Sequence, residues 1–194
     1  MLSVKEKAIL LLLFKDFSVS YNARSISGKV GMTPRGALKA LKNLEKQGFV
    51  SPKPFGRAIE YMFSFSNALA KKNVELFLLE EAELKHKRWV EEFRKFGEAR
   101  ILVLFGSASR MEKGYNDIDI LAVVDKNKYQ GLLKKIEEKS LILPKKIHPV
   151  VQTLNDLKEN LRARNAVVLD AIRTGIVVRG ADTLVEVVGS VTGG

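Results

Sequence analysis

The stretch LVLFGSASRMEKGYNDIDILAVV, residues 102–124, contains two apolar runs separated by a short polar segment. The first run ends at Gly106-Ser107, and the second begins with two aspartates one residue apart, Asp117 and Asp119. Continuous apolar runs of this length, bounded by turn residues, are typical of buried strands. The stretch therefore predicts two strands, 100–105 and 117–124, joined by a segment short enough to bring their polar ends together.

The Gly106-Ser107 pair lies where the first predicted strand ends. Glycine permits a close backbone approach. The N–H groups that follow it, together with a serine hydroxyl, can form a corner that binds phosphate. An isolated Gly-Ser pair is more typical of a simple turn, so its meaning depends on what lies beside it.

Asp117 and Asp119 point to the same side of a strand, because side chains alternate with a period of two. Two adjacent carboxylates repel each other, and burying them without a cation is costly. Mg²⁺ prefers oxygen ligands and is usually completed by substrate phosphates. An isolated Asp-x-Asp is more typical of a solvated strand end. Beside a phosphate corner, it indicates transfer of a nucleotidyl or phosphoryl group.

This combination resembles the pattern of the nucleotidyltransferase superfamily with the DNA-polymerase-β-like fold, in particular its minimal nucleotidyltransferase branch. The family pattern is Gly-Ser, an arginine shortly after, and then Asp-x-Asp. It stands here as Gly106-Ser107, Arg110 and Asp117-Ile118-Asp119. The resemblance covers about residues 98–182 and implies a mixed sheet flanked by helices.

The resemblance also implies roles for these residues. Gly106, Ser107 and Arg110 would bind the triphosphate, and Asp117 and Asp119 would hold Mg²⁺ or Mn²⁺. The substrate or ligand would be an NTP, with ATP as the first choice. The reaction would transfer an NMP unit to an acceptor hydroxyl and release pyrophosphate.

The sequence departs from the family pattern at the third carboxylate, which active relatives usually supply from the next strand. The corresponding stretch here is KKIHPVVQT, and His148 is the best matching position. No Asp or Glu occurs between Glu138 and Asp156. A histidine can act as a base near neutral pH, so His148 is a third candidate catalytic residue beside the two aspartates. A lone histidine next to a proline is more often structural.

The first third of the chain predicts three helices followed by a β-hairpin. Asn22 and Thr33 are suitable N-caps, and Pro34 suits the first helical position. The stretch FVSPKPFGRAIEYMFSFS predicts two strands, with Pro-Lys-Pro-Phe-Gly-Arg as the loop between them. This order resembles the winged helix-turn-helix family over roughly residues 3–65.

Basic side chains in this region indicate contact with a polyanion. Residues 1–66 contain 11 basic and 4 acidic residues, so most of the net charge of +11 lies there. Four cations recur on one face of the helix that follows Thr33: Arg35, Lys39, Lys42 and Lys46. A second helix of this kind enters the major groove of duplex DNA, and Lys53 and Arg57 would reach flanking phosphates. The alternative is a solvated basic helix in a protein-interaction module.

Composition bears on the cellular compartment and on membrane association. The chain has 194 residues, no cysteine and no apolar run near the length of about 20 residues that spans a membrane. These features favour a cytoplasmic protein without a membrane partner. The oligomeric state stays open, and a homodimer is one of the expected states.

These predictions define an α/β (α+β) chain with three parts. They are a winged helix-turn-helix domain at 1–66, a linker helix at 67–97 and a nucleotidyltransferase-like domain at 98–194. Two functions remain open. The first is a Mg²⁺-dependent nucleotidyltransferase. The second is a DNA-binding regulator, or an antitoxin paired with a small helical toxin-like protein, whose second domain binds nucleotide or partner without turnover.

Overall fold

The computed structural model describes residues 2–110 and 115–192. The chain divides into two compact units, the first ending at Phe77 and the second running from Leu78 to Thr192. Each unit contains helices and a sheet, so the predicted α+β class is confirmed.

Three helices begin the first unit: α1 Val4–Lys15, α2 Ala23–Val30 and α3 Pro34–Lys46. The predicted caps are present. The side chain of Asn22 accepts a hydrogen bond from the Ser25 N–H at 2.9 Å, and that of Thr33 accepts one from the Gly36 N–H at 3.1 Å. Each cap satisfies a backbone donor that has no partner within its helix.

A three-stranded sheet completes this arrangement. It consists of β1 Tyr21–Asn22, β2 Val50–Phe55 and β3 Ala58–Phe63, in the order β1-β3-β2. The prediction of a long hairpin loop was wrong, because β2 continues through Pro52 and Pro54 and only Gly56-Arg57 forms the turn. β2 is an edge strand, where a proline can leave its missing N–H on the open side.

The segment between the two sheets contains two helices. They are α4 Ala68–Lys85 and α5 Lys87–Phe93. The division between the two units falls within α4. In the second unit, the rings of Trp89 and Phe93 stack with centroids 5.8 Å apart and belong to the core beneath the sheet.

The second unit is built on a mixed sheet with the strand order β6-β5-β4-β7. Its strands are β4 Ala99–Phe105, β5 Ile118–Val124, β6 Ile147–Gln152 and β7 Ile176–Arg179. β4 pairs antiparallel with β5 and β7, whereas β5 pairs parallel with β6. The central strands β4 and β5 are nearly continuous apolar runs, because both of their faces are buried.

Helices flank both faces of this sheet: α6 Gly106–Ser109, α7 Tyr129–Ile142, α8 Leu154–Arg162, α9 Ala166–Thr174 and α10 Ala181–Thr192. One face packs on α5 and α7 through Ile118, Ile120 and their neighbours. The alternate residues, among them Leu121, face the side where α8 and α9 contact β5. Asp117 and Asp119 share this second side.

The last helix of the described residues is α10. α10 continues to Thr192 and buries Val185 and Val188. In the described ranges, no helix combines the length and apolar character needed to cross a membrane.

Candidate functional site

The Gly106 corner lies at the end of β4, and Asp119 covers it. Gly106 has a φ of +71°, in the left-handed region that favours glycine. A Cβ atom at this position would lie 2.2 Å from Oδ2 of Asp119. The hydroxyl of Ser109 donates to the carbonyl of Gly106 at 2.8 Å and fixes the turn. Glycine is therefore required for two reasons: the backbone angle and the carboxylate above it.

Asp119 is a partly buried acid that interacts electrostatically with His148 and Asp117. Burial raises the pKa of the Asp119 carboxyl above its ordinary value; His148 opposes this shift, and the charge of Asp117 adds to it. A group with a raised pKa resists ionisation, and a nearby cation removes that resistance.

β6 brings His148 beside the two aspartates. In the parallel register, Asp119 lies opposite His148 on the neighbouring strand. Nδ1 of His148 is 3.7 Å from Oδ2 of Asp117, and both side chains are about half exposed. The strand that was expected to supply a third acid thus presents an imidazole at the same edge of the sheet.

The other predicted ligand residues follow the corner. Ser107 is half-buried in the four-residue helix α6, and Arg110 is exposed directly after it. Asp125 belongs to a different place, because it follows the far end of β5 and pairs with Nε of Arg100 at 2.8 Å. Asp125 therefore serves as a carboxylate outside the site for comparison.

The donor set fits a hard divalent cation that is completed by other oxygen atoms. Asp117 and Asp119 supply carboxylate oxygens from the same side of one strand, and Mg²⁺ is commonly held by one or two carboxylates plus substrate phosphates. Residues 2–110 and 115–192 contain no group of three or more His, Asp or Glu side chains placed to hold a metal by themselves. Two carboxylates alone would need further oxygen ligands to complete the coordination of such a cation.

The α3 helix presents a basic face in the first unit. Its inner side is anchored by Ala37, Leu41 and Leu44, which are fully buried. The four predicted cations all lie on exposed positions of the same helix: Arg35, Lys39, Lys42 and Lys46. The burial of the apolar side thus fixes the basic side toward solvent.

Two features modify this basic face. Nζ of Lys42 donates to Oε2 of Glu45 at 2.9 Å, and this hydrogen bond raises the pKa of the Lys42 ammonium. A groove of about 530 Å³ runs between the start of α1 and α3, and Lys39, Lys42 and Lys46 are among its lining residues. The lysines therefore line a concave surface rather than an isolated ridge.

Sequence reasoning missed the contribution of α1 to this groove. Lys5 lines it and donates to the carbonyls of Val30 and Gly31 at 2.8 and 3.0 Å, at the end of α2. Glu6 is buried there; burial opposes its ionisation, but hydrogen bonds from Asn43 and Ser3 hold its pKa below the ordinary value. The Ser-x-x-Glu spacing of a capping box was the available signal.

The hairpin carries the two remaining predicted cations. Lys53 lies on β2 directly opposite Glu60 of β3, and Arg57 occupies the two-residue turn. Both are exposed. Phe55 next to the turn is also 66% exposed, so the tip of the hairpin is both basic and apolar.

Comparison of the chain with protein-family models, with curated proteins and with solved structures gives no match.

Proposed function

We propose that the second unit is a nucleotidyltransferase-like domain that binds an NTP with Mg²⁺ or Mn²⁺ and transfers NMP to an acceptor. The observation that carries this proposal is the Asp119 carboxylate directly above the backbone of Gly106. A phosphate held at the glycine corner would thereby lie next to the cation that the carboxylate binds. ATP is the first ligand to test.

The chemistry assigns a task to each residue. Asp119 and Asp117 bind the cation, and the backbone near Gly106 with the Ser107 hydroxyl binds phosphate oxygens. A bound divalent cation supplies positive charge to the phosphate oxygens as charge develops there. In the transfer, the acceptor oxygen forms a bond to the α-phosphorus while the bond to pyrophosphate breaks. The hydroxyl proton must go to a base, and His148 is the neighbouring candidate.

Calorimetric titration of the full chain with ATP and Mg²⁺ tests the binding step. We expect binding that depends on the divalent ion and that Asp117→Asn together with Asp119→Asn removes. Asp125→Asn is the matched control, because it deletes a carboxylate just beyond the other end of β5. Equal affinity in the double variant and in the parent would contradict the proposed site.

We further propose that the first unit is a winged helix-turn-helix domain that binds duplex DNA through α3. Support comes from the helix order, the hairpin after α3 and the exposed cations on a helix whose apolar side is buried. The groove beside α3 adds a concave surface suited to a phosphate backbone. Contacts to phosphate give affinity but no sequence preference.

Binding of the full chain to duplex DNA at several salt concentrations tests this second part. Counterion release predicts that affinity falls steeply with salt, with a slope of about −0.9 for each phosphate contact. Lys39→Glu with Lys42→Glu should lower affinity at least tenfold. Lys87→Glu with Lys134→Glu gives the same change in net charge on exposed positions of the second unit and should have a much smaller effect.

A second candidate function is nucleotide binding without turnover in a DNA-binding regulator. The observation that favours it is His148, which occupies the strand position beside Asp119 where a third carboxylate was expected. Incubation with Mg²⁺ and each labelled NTP, with and without acceptors, separates the two. Pyrophosphate release supports the enzyme, whereas tight binding without release supports the regulator.

A further inference from the structure

The tip of the β2–β3 hairpin is apolar on both of its faces. Phe55 and Ile59 expose 66% and 44% of their surfaces. Phe55 is paired with Ala58 across the two strands, and Ile59 follows Ala58 on β3. Because side chains alternate along a strand, Phe55 and Ile59 lie on opposite faces. The buried positions of β3 begin only at Tyr61, so both side chains lie beyond the core of the first unit.

The hairpin holds this tip in a defined position. β2 and β3 stay paired without interruption up to Phe55 and Ala58, and only a two-residue turn lies outside the pairing. Pro52 and Pro54 fix two φ angles of β2 close to the tip. A side chain that is already held in place loses little conformational freedom when it binds. Phe55 is therefore presented to a partner as a fixed apolar projection.

The charge around the tip indicates a polyanion as the partner. Residues 51–59, SPKPFGRAI, contain Lys53 and Arg57 but no acidic residue. Both cations are exposed, and Lys53 lies on the same face as Phe55 because it stands two positions earlier on β2. Glu60 lies opposite Lys53 and offsets part of its charge. β2 also packs against α3, so the basic tip and the basic face of α3 belong to neighbouring elements of one unit.

We propose that Phe55 enters the minor groove of duplex DNA and wedges between two base pairs, so that the bound duplex is kinked. This inference rests on the proposed DNA binding by the first unit. Apolar side chains that are inserted from the minor groove unstack a base step and kink the duplex by about 20–90°. The minor groove is about 6 Å wide, which admits a narrow tip but not the face of a sheet. Lys53 and Arg57 neutralise phosphates beside the opened step.

A wedge gives the first unit a sequence preference that phosphate contacts cannot give. Pyrimidine–purine steps such as TA are unstacked easily, whereas A-tracts are stiff. The free-energy cost of the kink is therefore lowest at a TA step. A duplex of repeated TA steps should bind the parent chain several-fold more tightly than an A-tract duplex of equal length. Phe55→Ala should bind the two duplexes equally.

Fluorescence of the adenine analogue aminopurine, placed in the TA steps of the repeated duplex, tests the wedge directly. Its emission rises when the base is unstacked, and the repeat ensures that every binding register meets such a step. The full chain at low salt should raise this emission and shorten the distance between dyes at the two duplex ends. Phe55→Ala should abolish both changes at saturation and lower affinity about 5–150-fold, the range for loss of one stacked aromatic side chain. Phe55→Trp should keep both changes.

Met62→Ala is the matched control for Phe55→Ala. Met62 is 41% exposed and lies on the same face of the hairpin as Phe55, but it is paired with Ser51, away from the tip. Its replacement should leave the affinity and the emission unchanged. Circular dichroism of both variants should match that of the parent, because neither side chain belongs to the core.

The outcomes separate the wedge from DNA binding itself. A parent chain that binds no duplex at low salt would refute the proposed DNA binding and the wedge together. Binding without a rise in emission, a rise that Phe55→Ala preserves, or equal affinity of the parent for the two duplexes would overturn the wedge alone. Sedimentation without DNA tests the other occupant of the tip. Self-association that Phe55→Ala removes would assign the tip to a second copy of the chain and overturn the wedge.

Discussion

Replacing Gly106 with alanine is expected to destabilise the second unit and to abolish divalent-dependent NTP binding. Gly106 has a φ of +71°, and a Cβ atom there would lie 2.2 Å from Oδ2 of Asp119 and 3.2 Å from its Cγ. The substitution thus strains the backbone and displaces the carboxylate that is proposed to hold the cation. One change tests both the geometry of the corner and its function.

The size of the effect follows from these two contributions. An alanine in the left-handed region costs about 1–2 kcal/mol. Rotation of the Asp119 side chain away from the new methyl group costs about 0.5–1.5 kcal/mol, the range for a side chain forced off its preferred rotamer. The free energy of unfolding should therefore fall by about 1.5–3.5 kcal/mol.

Urea unfolding of the full chain, followed by fluorescence of the single tryptophan, Trp89, measures this loss in the second unit. Gly56→Ala is the matched control, because Gly56 has a φ of +57° and a Cβ there would meet nothing within 4 Å. It carries only the backbone cost, and its effect on the first unit is followed by circular dichroism. In the double variant Gly106→Ala with Asp119→Ala, the cost of displacing the Asp119 carboxylate should be absent. A double-mutant cycle isolates that cost.

Two results would contradict the proposed role of the Gly106 corner. Equal destabilisation by Gly106→Ala and Gly56→Ala would mean that the Asp119 carboxylate does not lie above Gly106. Retention of Mg²⁺-dependent ATP binding by Gly106→Ala would mean that the corner does not hold the phosphate.

Three other substitutions probe the pKa of Asp119, the role of His148 and the N-cap of α3. At pH 7, Asp119→Asn should unfold at a higher urea concentration than the parent. The pKa of Asp119 is raised on folding, so its proton stabilises the folded chain below about pH 4, and this stabilisation is lost as the pH rises through the folded pKa. The difference in stability between the variant and the parent should therefore vanish near pH 4. His148→Ala should lower pyrophosphate release at least tenfold, because His148 is the proposed general base and such a group contributes about 10²–10⁴-fold, and it should leave ATP affinity within about twofold, as expected of a group outside the proposed ligand set. Thr33→Ala should cost about 1 kcal/mol in urea unfolding, since it removes the N-cap of α3; a loss below about 0.3 kcal/mol would show that this cap is dispensable.

Local sequence determined the elements whose stabilising contacts are local. Asn22 and Thr33 were predicted as caps from their residue types, and each accepts a hydrogen bond from a residue only three positions away. The buried strands β4 and β5 were identified because a continuous apolar run carries its own signal. The same-side placement of Asp117 and Asp119 needed only the period of a strand.

Features that depend on distant partners in the sequence follow only from the fold. Pro52 and Pro54 are accommodated in β2 because that strand lies at the edge of its sheet, and strand order is a long-range property. His148 was selected as a match by its position in the sequence, but its place beside Asp119 follows from the parallel pairing of β5 and β6. The contact between Asp119 and the Gly106 backbone likewise arises from the antiparallel register of β4 and β5, which places Phe105 opposite Asp119. A short motif can name the residues of such a corner, but only the strand pairing sets the distances between them.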